Sequence, residues 1–462
     1  MSEHIALPDE IHRLAKAALD NGRALSIAEA EAQLRSLRIK FHIDRAEVLS
    51  REHQATLLTC VALARRVFLG GVFVSGDLDA TLAVPLPLGA TVGEAILQLG
   101  ASASPAPATG PLVYIGGGPR PRTNGFAVRT ACAGWRGGIL PAESESWAKG
   151  PTAMPLAAML SAALAVNEAF LSVNGEAPIS GRRSVGMSLW TPSAAGNSWL
   201  RDDGAPQLAF LPSHLWLIGL GHLGQANLWA LGLLPYGDGS PLRLLLQDFD
   251  VVTGSTWSTS LLTEPAATKL SVIGIRKARL MAMWAEQRGF VTTIHERHFD
   301  AHFKRHDHEP SVALCGVDNA LARRALDKVG FDFVVSAGLG SGYQDFCTVR
   351  LHTLPGEREA AEIWRDIEGP SALPEPEAYA AMVASGALDR CGAALLAGKP
   401  VGAPFVGAVA AALVIAEVLR LLHGGQTSSL IDLDLRNLEY LTVIRQTRDF
   451  SRLNPGFVEA SQ

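Results

Sequence analysis

The sequence predicts an α/β fold of two similar halves, each a mostly parallel sheet with helices on both faces. Short apolar strand patterns alternate with helix patterns along most of the 462 residues, and this alternation is typical of parallel sheets. A weak internal repeat relates the two halves. With 462 residues the chain is too long for one ordinary core, so we expect two domains, residues 1–205 and 206–462.

The composition excludes several classes of protein. Hydrophobic residues make up 48% and charged residues 18% of the chain, which is the balance of a globular protein. The net charge is -5 and the isoelectric point is near 6.2, so the basic surface of a nucleic-acid-binding protein is not expected. We therefore predict no nucleic-acid partner.

Cysteine usage and apolar runs predict a cytoplasmic protein with no membrane partner. The five cysteines are an odd number and form no Cys-x-x-Cys pair, so neither a disulfide framework nor a four-cysteine zinc site is expected. The first 16 residues carry charges and lack the apolar run of a signal peptide. The most apolar stretch, residues 407–422, contains Glu417 and Arg420, which indicates a buried helix.

The first half should open with amphipathic surface helices within residues 1–40. The patterns that follow predict helices at 52–67, 91–99 and 155–171, and strands at 70–76, 112–115, 126–133 and 184–190. Residues 191–212 are rich in Ser, Gly, Asn, Asp and Pro and mark the domain boundary.

The second half should begin with a buried strand, a glycine turn and a helix. The patterns that follow predict strands at 242–250, 311–315 and 430–435, another strand that ends near residue 340, and helices at 274–286 and 404–422.

The internal repeat pairs segments of the two halves in the same order. Residues 112–117 and 126–135 resemble 312–317 and 333–342, while 157–175 and 183–190 resemble 406–425 and 428–435. The first half therefore looks like a degraded copy of the second. The alternative is that the two halves share only the patterns common to all Rossmann-like sheets.

The sharpest local motif is a glycine turn made by Gly219, Gly221 and Gly224. It follows an apolar strand and opens a helix. Glycines allow a tight turn and a close backbone approach, and the helix N-terminus offers free N–H groups to phosphate. The motif predicts a nucleotide site without distinguishing NAD from ATP, and a plain strand–helix turn remains the alternative.

Acidic residues follow the next strand. Asp248 and Asp250 end the segment Gln-Asp-Phe-Asp, about 24 positions beyond the last glycine. A carboxylate at this place can accept hydrogen bonds from a ribose, again in either nucleotide.

Lys277 and Asp318 favour ATP over NAD. Lys277 lies near the start of a predicted helix, and Asp318 follows a predicted strand in the segment Val-Asp-Asn. Both should lie at the carboxyl edge of one sheet, where a lysine can hold a phosphate and a carboxylate can hold Mg²⁺. Hydride transfer needs neither group. Taken singly, each residue is more often a solvated surface charge.

Together these motifs resemble the family of ThiF, MoeB and the ubiquitin-activating enzymes. The resemblance covers residues 215–435. It rests on LIGLGHLG, DFDVV, a Gly-x-x-Lys-Ala setting, VDN, and PFVG before a helix that ends in EVLRLL. It implies that the second half uses ATP and Mg²⁺ to adenylate the C-terminal carboxylate of a ubiquitin-like protein. We expect the first half to be an inactive scaffold, because residues 70–77 have neither the spacing nor the acidic partner of a glycine phosphate loop. Asp248 would hold the ribose, Lys277 the phosphates and Asp318 the magnesium.

The chain departs from the family's Ser-Asn-x-x-Arg-Gln motif. Ser255 matches the serine, but Thr256 replaces the asparagine and Thr259 stands where the arginine belongs. The Cys-x-x-Cys zinc pairs of many bacterial members are also absent, so structural zinc is not expected.

Another arginine must supply the missing charge if the enzyme is active. The neighbouring candidates are Arg276 and Arg279. Arg45 and Arg51 lie in a segment that resembles the one family members lend across their paired halves, and we assign the catalytic role to Arg51. A surface ion pair is the alternative for any one of them.

Cys391 stands where ubiquitin-activating enzymes carry their nucleophile, in a loop before the final helix. Arg390 and Lys399 are near it in sequence, and nearby cations favour the reactive thiolate. The other four cysteines lie in apolar runs and should be buried. A structural cysteine is the alternative reading of Cys391.

A histidine run places His298, His302 and His306 four residues apart, which raises a metal hypothesis. The segment is crowded with charges, so a solvated surface is the favoured reading.

The family resemblance also implies partners: a ubiquitin-like protein, a ubiquitin-conjugating enzyme and a second copy of the chain in a homodimer. By analogy alone, the context would be a bacterial conjugation pathway linked to defence against phage. Three rival functions remain: a sulfur-carrier adenylyltransferase, an NAD-dependent oxidoreductase and an inactive scaffold.

Overall fold

The structure, a computed structural model, describes residues 9–103, 109–193, 196–265, 272–365 and 377–461. The first half contains helices α1 (Arg13–Asp20), α2 (Ile27–Ser36), α3 (Arg51–Ala64), α4 (Val92–Gln98) and α5 (Pro155–Val173), and strands β1 (Ile39–Ile43), β2 (Val72–Gly76), β3 (Leu112–Ile115), β4 (Ala127–Ala133), β5 (Arg136–Pro141) and β6 (Val185–Ser188). Its six strands form one sheet in the order β2-β1-β3-β4-β5-β6.

The second half contains a larger sheet and a small strand pair. Its helices are α6 (His222–Leu233), α7 (Lys277–Gln287), α8 (Ala320–Arg324), α9 (Ala360–Ile363), α10 (Glu377–Ala384), α11 (Arg390–Ala397) and α12 (Pro404–Leu422). Its strands are β7 (Phe210–Pro212), β8 (His214–Ile218), β9 (Arg243–Gln247), β10 (Val291–His295), β11 (Val312–Cys315), β12 (Phe333–Leu339), β13 (Thr348–Leu354), β14 (Ser428–Asp434), β15 (Thr442–Arg445) and β16 (Phe457–Glu459). The sheet order is β10-β9-β8-β11-β12-β13-β14-β15, and β16 pairs with β7.

The two sheets share one topology. In the second sheet the strands β9-β8-β11-β12 are parallel, and β13 and β14 continue antiparallel. In the first sheet β2-β1-β3-β4 are parallel, and β5 and β6 continue antiparallel. The predicted α/β fold of two Rossmann-like halves is confirmed. The boundary between residues 205 and 206 stays a prediction.

The repeat extends to single residues of the core helices. Helices α5 and α12 each have 19 residues and begin with proline, a residue suited to the first helical position. Each carries a buried glutamate at its fourteenth position, Glu168 and Glu417. The carboxylate of Glu168 accepts the backbone N–H of Gly181 at 2.9 Å, and that of Glu417 accepts the N–H of Ser428 at 3.0 Å. Both glutamates thus fix the chain as it returns to the sheet.

The halves share one apolar core. Helix α5 packs against α12 and α6, and buried apolar residues of both halves form one continuous cluster. The indole of Trp229 donates to the hydroxyl of Thr59 at 3.0 Å across the interface. Helices α5 and α12 are long and apolar enough to cross a membrane, but both are buried inside the protein, as in the core helices of globular proteins.

Some predicted elements need correction. The region expected to be helical, residues 1–40, also contains the start of β1, and α1 is buried against the core instead of lying on the surface. Residues 1–8 of that region lie outside the described part. Strands β5, β10 and β13 were not predicted, because β5 contains two glycines and β10 is largely exposed. Cys391 lies in a short helix, α11, and not in a loop.

Candidate functional site

The glycine turn joins β8 to α6 and leaves an open face above the helix N-terminus. Gly219 has φ of +87°, a conformation that favours glycine. A Cβ atom on Gly224 would collide with the carbonyl oxygen of Gly219, so that glycine is needed for helix–strand packing. A Cβ atom on Gly221 would meet nothing within 4 Å, so the backbone there is accessible to a ligand.

Asp248 connects the glycine turn to the end of β9. One carboxylate oxygen accepts the N–H of Leu220 at 2.6 Å, and the other accepts the N–H of Asp250 at 2.7 Å. Burial raises the pKa of Asp248, and the charge of Lys277 opposes that shift. The carboxylate holds the turn in shape, and its remaining lone pairs can still accept a hydroxyl.

Lys277 lies at the first position of α7 and faces the same edge. Its ammonium nitrogen is 2.8 Å from a carboxylate oxygen of Asp250, and its backbone N–H donates to the carbonyl of Asp250 at 2.9 Å. Its side chain is only 15% exposed. A cation is therefore held beside the glycine turn, paired with a carboxylate that is about half exposed.

Asp318 lies on the other side of the turn. The loop after β11 packs directly on the glycines: a Cβ atom on Gly219 would lie 3.0 Å from Val317, and one on Gly316 would lie 2.8 Å from Leu223. The side chain of Asp318 is exposed, and no ion pair joins it to Lys277 among the described residues. The strands that lead to Lys277 and Asp318, β9 and β11, flank β8 on its two sides.

The segment after Asp250 brings an arginine that the sequence reasoning missed. The guanidinium of Arg13, at the start of α1, donates to the hydroxyl of Ser255 at 3.0 Å. The backbone N–H of Ser255 donates to the carbonyl of Asp9 at 2.7 Å, and the ring of His12 lies 5.0 Å from the Trp257 ring. Burial lowers the pKa of Arg13, and Asp9 opposes that shift. Helix α1 and the residues before it thus pack on the loop of the second half that contains Ser255 and Trp257.

Arg51 lies in the first half, at the start of α3, and its catalytic role stays a prediction. Its charge acts on Arg288, just beyond the end of α7. Lys277 begins α7, and a helix of 11 residues is about 16 Å long. Arg51 therefore lies toward the opposite end of α7 from the glycine turn. Arg45 is 89% exposed and pairs with Asp77 in the first half.

The other arginine candidates differ in position. Arg276 caps α7 and donates to the carbonyl of Phe249, so it lies beside the site. Arg279 is paired with Glu296 on the surface at 2.7 Å. Thr259, which replaces the family's arginine, is buried beside Gly402.

His222 joins the glycine turn to the start of α12. Its side chain is partly buried, with a buried Nε2 atom, and a Cβ atom on Gly407 would collide with its ring. Burial lowers the pKa of His222 to about 4, so the ring is neutral at pH 7. The glycine at position 407 thus lets the two helix N-termini approach closely.

Cys391 is the exposed member of the five cysteines, all of which lie in the described residues. It occupies the second position of α11, whose first turn is capped by the carboxylate of Asp389. Burial raises the pKa of Cys60, Cys132, Cys315 and Cys347. Those four thiols are therefore poor nucleophiles, whereas Cys391 is accessible.

Helix α1 also contacts the segment that carries Cys391. The buried Tyr379 of α10 donates to a carboxylate oxygen of Asp20 at 2.5 Å, and Lys16 pairs with Asp20 at 2.6 Å. Lys399, just after α11, pairs with Asp9 at 2.5 Å. One helix of the first half thus touches both the loop of Ser255 and the segment of Cys391.

A cavity of about 550 Å³ lies against β12, β13 and β14. Its lining includes Arg323, Arg350, His352, Asp432 and Tyr440. Arg323 also donates to the carbonyl of Val317 at 2.8 Å, so the cavity adjoins the loop of Asp318. A groove of this size can hold a short extended peptide.

The corresponding edge of the first half is filled by its own side chains. Asp44 follows β1 where the glycine turn follows β8, and it pairs with Arg120 and with His42 at 3.1 Å. His53 pairs with Glu47 at 2.6 Å, and its ring packs against Gly116 at the end of β3. These pairs occupy the space that the second half leaves open.

The histidine run does not gather into one cluster. His302 is exposed, His298 stacks on Phe249, and the rings of His306 and His308 stack on each other. Among the described residues, no group of three or more His, Cys, Asp or Glu side chains is placed to hold a metal ion. A magnesium ion at Asp318 would need phosphate oxygens and water as its other ligands.

Comparisons with known proteins match both halves. Residues 38–189 match the family model described as the BilD N-terminal domain, and residues 211–425 match the BilD C-terminal domain. The chain is 42% identical over 425 residues to a protein of Collimonas sp. (strain OK412) named bacterial E1-like protein BilD, and the match covers 91% of this chain and 90% of that one.

Similarity to solved structures is slight. The E. coli tRNA N6-threonylcarbamoyladenosine dehydratase TcdA is 15% identical, with a TM-score of 0.29 over 46% of this chain and 86% of that one. The SeMet PaaA structure is 11% identical, with a TM-score of 0.31 over 51% of this chain and 63% of that one.

Proposed function

This chain belongs to the BilD family of bacterial E1-like proteins, and from that premise we propose that it adenylates the C-terminal carboxylate of a ubiquitin-like protein with ATP. One arrangement carries the proposal. The open glycine turn, the carboxylate of Asp248, the ammonium of Lys277 and the guanidinium of Arg13 lie around one edge of the second sheet. Two cations beside a phosphate-binding turn suit a triphosphate better than a nicotinamide cofactor.

The residues of the site fit Mg-ATP in distinct roles. The free backbone at Gly221 and the N-terminus of α6 would bind phosphate oxygens, and Asp248 would accept the ribose hydroxyls. Lys277 would exchange its contact with Asp250 for a phosphate. The exposed Asp318 would supply one magnesium ligand, and the ion would neutralise phosphate charge.

The reaction would join one carboxylate oxygen of the carrier to the α-phosphorus and release pyrophosphate. Negative charge grows on the phosphate oxygens as the leaving group departs. Lys277 and Arg13 would stabilise that charge from two directions, which replaces the arginine missing at Thr259. The cavity beside Asp318 would receive the extended C-terminal tail of the carrier.

Cys391 would then take the acyl group. Its thiolate would attack the acyl carbonyl and release AMP, so that the carrier is held as a thioester for a ubiquitin-conjugating enzyme. The support is that Cys391 is exposed, while Cys60, Cys315 and Cys347 are buried and Cys132 is partly buried. We infer a cytoplasmic conjugation pathway, of the kind linked to defence against phage.

Trapping of the acyl-enzyme tests the second step. With ATP, Mg²⁺ and a ubiquitin-like protein ending in free glycine, the wild-type chain should form an adduct that reducing agent releases. Cys391→Ser should lose that adduct while it still adenylates the carrier. A carrier that instead leaves with a C-terminal thiocarboxylate would favour the sulfur-carrier alternative. A chain that binds no ATP would favour the inactive scaffold, and one that binds NAD the oxidoreductase.

A further inference from the structure

A buried arginine of the first half holds the loop of the second half on which Arg13 packs. Arg66 lies just after α3, and its side chain is fully buried. Its guanidinium donates to the carbonyl of Ala62 in its own helix at 2.6 Å. It also donates to four backbone carbonyls of residues 255–263, here called the 255–263 loop: those of Trp257 at 2.9 Å, Ser260 at 3.1 Å, Leu261 at 2.8 Å and Thr263 at 2.9 Å.

The charge of Arg66 is balanced mainly by these carbonyls. Burial lowers the pKa of Arg66 to about 9, the charge of Arg65 adds to this shift, and the charge of Glu264 opposes it. The carboxylate of Glu264 pairs with Arg65 at 3.0 Å. A buried cation is very costly unless its donors are hydrogen-bonded. The loop therefore cannot move away from Arg66 without a large loss of stability.

The start of the 255–263 loop receives Arg13. The hydroxyl of Ser255 accepts the Arg13 guanidinium at 3.0 Å, and the hydroxyl of Ser258 accepts the Arg13 backbone N–H at 3.3 Å. Ser258 also donates to the carbonyl of Ser255 at 2.6 Å, so the two serines move as a unit. The carbonyl of Trp257, held by Arg66, lies between them in sequence. A fixed loop therefore fixes the position of Arg13.

The end of the loop is tied to the glycine turn. Gln225 of α6 accepts the backbone N–H of Leu262 at 2.9 Å and donates to the hydroxyl of Thr263 at 3.0 Å. The same side-chain amide donates to the carbonyl of Leu220, within the glycine turn, at 3.2 Å. The loop is thus held from both sides, by Arg66 of the first half and by Gln225 of the second.

The 255–263 loop has no charged residue of its own. Thr259 stands where the resemblance places an arginine, and it lies between two residues whose carbonyls bind Arg66, Trp257 and Ser260. Both cations that contact this loop through hydrogen bonds to Ser255 or to its carbonyls, Arg13 and Arg66, come from the first half.

We propose that Arg66 is a positioning residue for adenylation, which fixes the 255–263 loop so that Arg13 lies at the reacting phosphates. The proposal rests on the proposed adenylation function. It adds a dependence of the second half's rate on a buried residue of the first half. Because Arg66 is fully buried, it acts through Arg13 and does not touch the substrate.

The test measures carrier-dependent ATP–pyrophosphate exchange and Mg-ATP binding by the full chain. Arg66→Gln should lower kcat by about tenfold to a hundredfold, because a small displacement of a catalytic group costs that much. Mg-ATP binding should stay within about threefold of the wild type, since Arg13 acts on charge that develops during the reaction. Arg66→Lys keeps the charge with fewer donors and should restore part of the rate.

Arg65→Gln is the matched control, because it removes a neighbouring arginine that also reaches across the interface but pairs with the side chain of Glu264. Its kcat should equal that of the wild type. A double-mutant cycle then shows whether Arg66 acts through Arg13. In an Arg13→Ala background, Arg66→Gln should lower kcat by less than about threefold, since the group that it positions is already gone.

The outcomes separate positioning from general support of the interface. Wild-type kcat in Arg66→Gln, or the same loss of kcat with and without the Arg13 guanidinium, would overturn the proposal and leave adenylation standing. If Arg66→Gln does not fold, the same cycle is measured with Arg66→Lys. A folded, carrier-bound wild-type chain without exchange would refute the adenylation proposal itself, and the role of Arg66 with it.

Discussion

At the level of single residues, the cation nearest Ser255 comes from the start of α1, 242 positions earlier in the chain. Gly219, Asp248 and Lys277 could be predicted because each belongs to a local pattern of strand, turn and helix. Arg13 could not, since no local pattern tells which distant segment will cover the loop. Arg51 is predicted from segment resemblance alone, and its charge acts on Arg288, just beyond the end of α7.

Removal of the Arg13 guanidinium should slow adenylation on the order of 10² to 10³ fold, because a donor to the developing phosphate charge is lost. Arg13→Lys should restore part of the rate. The rate of pyrophosphate release in the presence of the carrier is the measurement, and Arg35→Ala on the exposed face of α2 is the control. An Arg13→Ala variant with the wild-type rate would show that another group supplies the charge.

His12 should make the protein less stable as the pH falls below about 6.5. Burial lowers the pKa of His12 to about 3. A hydrogen bond to the Arg66 backbone opposes this shift, and the charges of Arg13, Arg35 and Arg66 add smaller contributions in the same direction as burial. The unfolded chain takes up a proton near pH 6.5 while the folded chain does not, so the free energy of unfolding decreases between those pH values.

His12→Asn should reduce this pH dependence, since asparagine can still cap α1 without titrating. Between pH 7 and pH 5, the wild type should lose on the order of 1 to 2 kcal/mol more of its free energy of unfolding than His12→Asn loses. Denaturant unfolding at the two pH values measures the difference, with His306→Asn as the surface control. An unchanged pH dependence would mean that His12 is not buried as described.

At the level of elements, α1 joins the loop of Ser255 to the segment of Cys391. The strand–turn–helix units around β8, β9 and β11 could be predicted, because their apolar runs and turn residues are local. The short helices α10 and α11 could not be predicted, because their sequence patterns are weak and tertiary contacts decide whether they form. The packing of α1 on the second half could not be predicted either, because it depends on tertiary contacts. The hydrogen bond from Tyr379 to Asp20 tethers α10 to α1. Burial and the Asp20 carboxylate raise the pKa of Tyr379, so its hydroxyl remains a donor.

Tyr379→Phe should loosen the Cys391 segment without unfolding the protein. The loss of one hydrogen bond to a carboxylate costs about 1 to 2 kcal/mol, while Asp20 keeps its pair with Lys16. Hydrogen exchange should therefore quicken in α10 and α11 and stay unchanged in β8 to β12. Tyr440→Phe, at a 76% exposed position, is the control. Unaltered hydrogen exchange in α10 and α11 would show that the Tyr379–Asp20 hydrogen bond does not hold this segment in place.

At the level of the whole molecule, two copies of one sheet topology share a core and differ at one edge. The repeat was visible in the sequence because paired strands and the long core helices keep the same apolar patterns. The halves differ after the matching strands β1 and β8: Asp44 and its partner Arg120 stand where the second half has an open turn. The structure adds that these pairs fill the space, which supports a scaffold role for the first half.

ATP–pyrophosphate exchange by the purified chain, with and without a ubiquitin-like protein that ends in free glycine, tests the proposed adenylation. We predict exchange that depends on the carrier, is lost in Lys277→Ala and is retained in Cys391→Ser. Absence of exchange with a folded, carrier-bound wild-type chain, or exchange that persists without Lys277, would contradict it.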